Sequence, residues 1–195
     1  MENPRSLAWN PAAEKLLSDL QELRTSARTQ EVVAWILKRL ENIDDLASRV
    51  LLLSELAGEY SMVGDFENAE RALRERIAIS NDAASSWISL ADHHLYATGN
   101  LHAARTAIER ALRQALNENS FIRQAAGTRI RVALALRDYP YVEDTLRLLM
   151  TEAAKSSAPD TAYETDFVRR IPPGTVNTQM IENYMKLARR NQGQD

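Results

Sequence analysis

From Pro11 to Tyr139 the apolar residues recur at spacings of three and four, the signature of helices that each bury one stripe. Asn10 suits a helix N-cap and Pro11 a first helical position, and Ala13, Leu16, Leu17 and Leu20 form the first stripe. Val32, Val33, Trp35, Ile36, Leu40 and Ile43 form the second, after a break near Ser26–Gln30. The pattern predicts further helices over about 45–62, 66–80, 83–97, 100–116, 119–136 and 140–154. Each break carries turn or capping residues: Asp44–Asp45, Gly64–Asp65, Asn81–Asp82, Gly99–Asn100, Asn117–Ser120 and Asp138–Pro140. No proline lies between residues 12 and 139, and the turn clusters that strands need every 8–12 residues or so are missing. An all-α chain of helical hairpins is expected.

The tail differs. Lys155–Gly174 holds three of the six prolines, and its SSAPD stretch reads as a linker. Tyr163, Phe167, Val168 and Ile171 nevertheless fall at helical spacing and predict a short helix near 161–170. Pro172–Pro173–Gly174 breaks the chain, and Met180, Ile181, Tyr184 and Leu187 mark one face of a last helix over about 178–190.

The middle of the chain repeats itself. Leu53 to Trp87, Leu56 to Leu90 and Ala57 to Ala91 are each 34 residues apart, whereas Gly64 to Gly99, Ala69 to Ala104 and Leu73 to Ile108 are each 35 apart. One copy supplies Leu53, Leu56, Ala57, Tyr60, Gly64, Phe66, Ala69 and Leu73; the next supplies Trp87, Leu90, Ala91, His94, Gly99, Leu101, Ala104, Ile108 and Ala111. This pattern resembles the tetratricopeptide repeat. Small residues at Ala57, Ala69, Ala91 and Ala104 let paired helices approach closely, and glycine permits the reversal between them. His94 stands where the family has tyrosine, and Asn81 where a proline often closes the repeat. A third copy aligns Asp138–Tyr139 with Asp65–Phe66 and Asn100–Leu101, with Ala126, Ile130 and Ala133 facing Val142, Leu146 and Leu149.

The resemblance implies stacked antiparallel helical hairpins, a superhelix in which residues 45–154 form three repeats. Residues 1–44 then make an N-terminal hairpin, either a degenerate repeat or a cap. Residues 155–195 make a linker and C-terminal capping helices that cover the last repeat's apolar face; lying in the groove as a self-ligand, or packing on another copy to form a homo-oligomer, are the alternatives.

Composition narrows the function. Lys+Arg total 24 against 27 for Asp+Glu, a net charge of −3, which argues against a nucleic-acid coat or an anionic-membrane binder. Cysteine is absent, so disulfides, thiol nucleophiles and cysteine-bound zinc are excluded. The longest apolar run, Val132–Leu136, is far short of a membrane span of ~20 residues. The N-terminal stretch has no apolar core of signal-peptide length, so a cytoplasmic protein is expected. Neither a glycine-rich phosphate loop, a G-x-S-x-G elbow nor a His-Glu zinc motif occurs, and the expectation is a non-enzyme without cofactor.

In the family, first helices line a concave surface that binds an extended peptide or a partner helix. The positions implied for it are Leu51, Ser54, Glu55, Gly58 and Met62 in the first repeat, and Ser85, Ile88, Ser89, Asp92 and Tyr96 in the second. Gln124, Thr128 and Arg131 follow in the third. Residues 50–82 carry seven acids and three bases, whereas 119–137 carry four arginines and no acid. Facing inward, that polarity would orient a partner with its cationic end near Glu55 and its anionic end near Arg131; facing outward, these are solvated charges. Ser54, Gly58, Ser85 and Ser89 replace the Lys, Asn and Arg of family members that clamp a C-terminal carboxylate, which disfavours a chaperone-tail clamp. Asp92, His93 and His94 are consecutive and diverge by about 100° per residue on a helix, so they do not converge on one metal ion. His94 is expected as a buried stand-in for tyrosine, and Trp9, Trp35 and Trp87 as core. A protein-binding adaptor is the leading expectation. The alternatives are a secretion-type chaperone for an apolar translocated partner, or a structural subunit assembled through the tail.

Overall fold

The computed structural model describes residues 11–81, 83–155 and 168–190, and among these every regular element is helical. The helices are α1 (Pro11–Ser26), α2 (Thr29–Leu40), α3 (Leu46–Met62), α4 (Phe66–Ile79) and α5 (Ala84–Asp92), which runs into a π-helical turn over His93–Ala97. There follow α6 (Leu101–Glu118), α7 (Ile122–Leu136), α8 (Tyr139–Lys155) and α9 (Thr178–Arg190). The element boundaries lie within a few residues of those read from periodicity. The stretch near 161–170 mostly lies outside the described residues, as do Trp9, Tyr163 and Phe167.

Capping chemistry sets where helices begin. Asp45, Asp65, Asn100 and Asp138 each accept a hydrogen bond from the backbone N–H three residues on, at 2.9–3.2 Å. Asn177 does the same for α9, accepting from Met180 N at 3.2 Å. Immediately before three of these caps sits a left-handed residue: Gly64 (φ 78°), Gly99 (φ 66°) and Arg137 (φ 56°). Three connections therefore share one construction, a left-handed residue, an Asp or Asn cap, then Phe66, Leu101 or Tyr139. In the third, arginine occupies a conformation that favours glycine.

The chain forms two compact units, Met1–Leu90 and Ala91–Asp195, dividing inside α5. In the first, α1, α2 and α4 pack on α3. Its core is Ala13, Leu16 and Leu20, Val32 and Ile36, Leu52, Leu53, Leu56 and Ala57, with Ala69, Leu73 and Ile77. Arg49 of α3 donates to the carbonyls of Leu40 and Ile43 at 2.9 and 3.3 Å, securing the end of α2. In the second unit α6 packs on the π turn and on α7, α7 on α8, and α8 on α9. The residues expected to face one another in the third copy, Ala126, Ile130, Ala133, Val142, Leu146 and Leu149, are all buried there.

The tail joins that core. Val168, Ile171, Val176 and Tyr184 are buried in it, with Met180, Ile181 and Met185 packed against it. Asn177 N donates to Glu143 Oε1 of α8 at 3.0 Å. Trp35 and Trp87 depart from expectation: both are half-buried rather than core. Arg39 covers the Trp35 ring at 5.0 Å, so the indole lies under a cation at the surface.

Relieving the left-handed arginine should stabilise the protein. Arg137→Gly is expected to add about 0.5–1 kcal/mol to the unfolding free energy in urea titrations, since Arg137 is exposed. Arg137→Ala should give no such gain.

Candidate functional site

On α3, Leu52, Leu56 and Glu59 fall at spacings of four and three, so Glu59 is carried to the buried side of the helix. Its side chain is 1% exposed. A carboxylate so placed needs a cation, and Arg24 in the last turn of α1 supplies it. Arg24 Nε and Nη2 lie 2.7 and 2.6 Å from Glu59 Oε1, and Nη2 also donates to Glu55 Oε2 at 2.8 Å. Partial burial pulls against the Arg24 charge. The hydrogen bonds and charges of Glu55 and Glu59 outweigh it and hold the guanidinium above its ordinary range. Two carboxylates thus share one cation, leaving a net negative charge at the site.

Beside this triad lies an open cleft of about 470 Å³, lined by Arg24, Ala27, Thr29, Val32, Gly58, Glu59 and Met62. Gly58 and Met62 were expected on a binding face, and both are exposed, Met62 at 67%. Gly58 sits inside α3 with nothing within 4 Å of where a Cβ would stand, and its φ is not left-handed. Leu51, Ser54, Ser85 and Ser89 are half-buried. Ile88 is buried rather than part of an open surface.

In the second unit Asp92, Thr128 and Arg131 come together. Thr128 is 0% exposed, contrary to its expected place on an open face. Its hydroxyl donates to Asp92 Oδ1 at 3.1 Å and accepts from Arg131 Nη2 at 2.6 Å. Arg131 Nη2 stands 3.7 Å from Asp92 Oδ1. Burial pushes the Asp92 carboxyl above its ordinary range, and Arg131 and Thr128 counter only part of that. The expected free anion-seeking charge at Arg131 is therefore engaged within its own unit. Tyr96 is 65% exposed with the Arg131 guanidinium 5.9 Å from its ring centre, and Gln124 is exposed.

His94 is buried as expected, and His93 is buried as well, their ring centres 5.6 Å apart. The π turn accounts for the pair. Thr98 N donates to His93 O, an i→i+5 bond that widens the turn and brings consecutive side chains inward.

A polar network ties α6, α7 and α8. Glu109 accepts from Arg129 Nε at 2.9 Å and from the Tyr141 hydroxyl, while Arg129 Nη1 donates to Thr145 at 2.9 Å. Arg105 and Arg129 lie 4.4 and 3.9 Å from the Tyr141 ring centre. Burial pushes Glu109 up, but Tyr141 and Arg129 outweigh it and hold the carboxyl below its ordinary 4.5. Burial and Glu109 together push the Tyr141 hydroxyl up to about 12.

Arg24 and Glu59 were absent from the expected site. The signal for them was present: Glu55 and Glu59 are an i, i+4 acid pair beside the apolar Leu52 and Leu56, and such a pair is stabilised by a cation. Which arginine supplied it could not be read, because α1 carries no repeat consensus to register it against α3.

Neither a protein-family model, a curated protein nor a solved structure matches the chain.

Two outcomes follow. Arg24→Met should cost about 2–4 kcal/mol by leaving Glu59 buried without a cation, and adding Glu59→Gln should recover most of that loss in a double-mutant cycle. Because Glu109 is depressed, its contribution is complete above pH 4.5 and lost as pH falls through its lower folded value. Glu109→Gln should accordingly flatten the stability–pH profile between pH 4.5 and that lower value.

Proposed function

We propose that the chain is a non-enzymatic protein-binding module of the tetratricopeptide type, which takes a segment of a partner protein against the α3 face of its first unit. Three features support the repeat reading: two sequence copies in common register, three connections of identical construction, and buried alanines at Ala57, Ala69, Ala91 and Ala104 where helices must approach closely.

The observation that carries the binding reading is Gly58. Glycine within a helix costs about 0.5–1 kcal/mol relative to alanine. Here neither a left-handed φ nor a close neighbour requires it. What its missing side chain does leave is room in the cleft beside Met62 and the Arg24–Glu55–Glu59 triad. A helix that gives up stability at the mouth of an open recess is one fitted to receive something there.

The chemistry of the recess defines its occupant. Val32, Ala27 and Met62 offer apolar contact, and two carboxylates sharing one guanidinium attract a second cation. The segment taken up carries a lysine or arginine next to an aliphatic side chain. This keeps the cationic end expected near Glu55 and drops the anionic end expected near Arg131, whose charge Asp92 and Thr128 already engage.

Panning a displayed random-peptide library on the full chain tests this. The wild type should enrich peptides pairing a basic with an aliphatic residue. Gly58→Trp, which fills the recess, should abolish that enrichment with an unchanged circular-dichroism spectrum. Gly58→Ala should raise stability by about 0.5–1 kcal/mol. Identical enrichment by the wild type and Gly58→Trp would reject the site.

A further inference from the structure

The first unit holds a second charged group that the recess does not use. Arg76, in the last turn of α4, is half-buried, and among the described residues no carboxylate lies against it. The arginines at 24, 105, 129 and 131 each have one. Arg76 Nη1 instead donates to the Ser89 hydroxyl at 2.6 Å. That hydroxyl gives its own proton to the Ser85 carbonyl at 3.1 Å, so a neutral lone pair is all that it offers the guanidinium. Nε is buried without a hydrogen-bond partner. Among the described residues, Ser89 accepts from only one of the five guanidinium N–H donors.

Such an arrangement is poor as a structural clasp. One hydrogen bond to a hydroxyl does not offset the desolvation of a cation, and burial alone holds Arg76 below its ordinary range. An apolar side chain of similar length would fill the space between α4 and α5 without that penalty. The planar fork is, however, preset for an oxyanion, which it would meet through two parallel charge-assisted hydrogen bonds.

We propose that Arg76, steadied by Ser89, is a binding point for an oxyanion, the carboxylate or phosphate group of a ligand. The anion supplies the missing countercharge and engages Nη2 and the second N–H of Nη1, while Ser89 keeps the fork in its plane. Neither Arg76 nor Ser89 lines the recess at Gly58, so this site does not depend on that one.

The test follows the Arg76 Nε–H resonance of the full chain during titration with inorganic phosphate and, separately, with blocked aspartate, against chloride at matched ionic strength. A saturable shift with a midpoint on the order of millimolar is expected for one ion-paired fork. Whichever of phosphate or blocked aspartate binds more tightly identifies the source of the oxyanion. In Arg76→Met the rise in Tm produced by phosphate over chloride should vanish, with Tm in chloride equal to or above that of the wild type. The shift should persist in Gly58→Trp, so failure of the recess and failure of this site are separable. A response that stays linear in both anions, or a phosphate effect on Tm that survives in Arg76→Met, would overturn the proposal.

Discussion

A glutamate that is 1% exposed sets the terms for the first unit. Removing a carboxylate from water is among the most expensive steps in folding unless a cation accompanies it. The cation of α3 itself, Arg49, is bonded to the Leu40 and Ile43 carbonyls, so the demand falls on α1, which meets it with Arg24. The N-terminal hairpin is thereby fixed to α3 by a directional, charge-assisted contact as well as by the apolar contacts of Leu16 and Leu20, which tolerate sliding. The same contact shapes the recess, because Arg24 and Glu59 form part of its wall. Stability and the shape of the recess are coupled through one ion-paired group.

The second unit meets a similar problem differently. Arg129, Glu109, Tyr141 and Thr145 satisfy one another through a closed set of hydrogen bonds, and the Tyr141 ring lies close to two guanidinium groups. There the charges balance locally. In the first unit they do not: Glu55 and Glu59 share one cation, and among the described residues no acid lies against Arg76.

The helices were legible because capping residues and apolar stripes agree at nearly every boundary: Asp45, Asp65, Asn100 and Asp138 each cap where the sequence places a break. The buried set of the third copy was also legible, since Ala126 to Leu149 follow the helical period. The site was legible only in part. Gly58 and Met62 could be placed from their offset to buried positions, but offset alone does not show whether a polar side chain at the helix margin turns inward. Thr128 did so because Asp92 and Arg131 offered partners, and Ile88 because apolar area favours burial. Arg24 was invisible because ion pairing between helices far apart in sequence leaves no periodic trace. Arg76 reads, in sequence, like any solvent-facing arginine of a charged helix.

The π turn at His93–Ala97 resolves a small arithmetical puzzle in the repeat, the step from 34 to 35 residues between its first and second halves. A single extra residue in an α-helix would swing everything beyond it by about 100°. Here the wider loop of backbone swallows the addition on the spot, and Asn100 still opens the next helix on schedule. The third copy grows by three residues between Gly99 and Arg137, close to one full turn, which preserves phase without any bulge. A helix can therefore take in an off-phase residue by swelling locally, and the connection beyond it keeps its place.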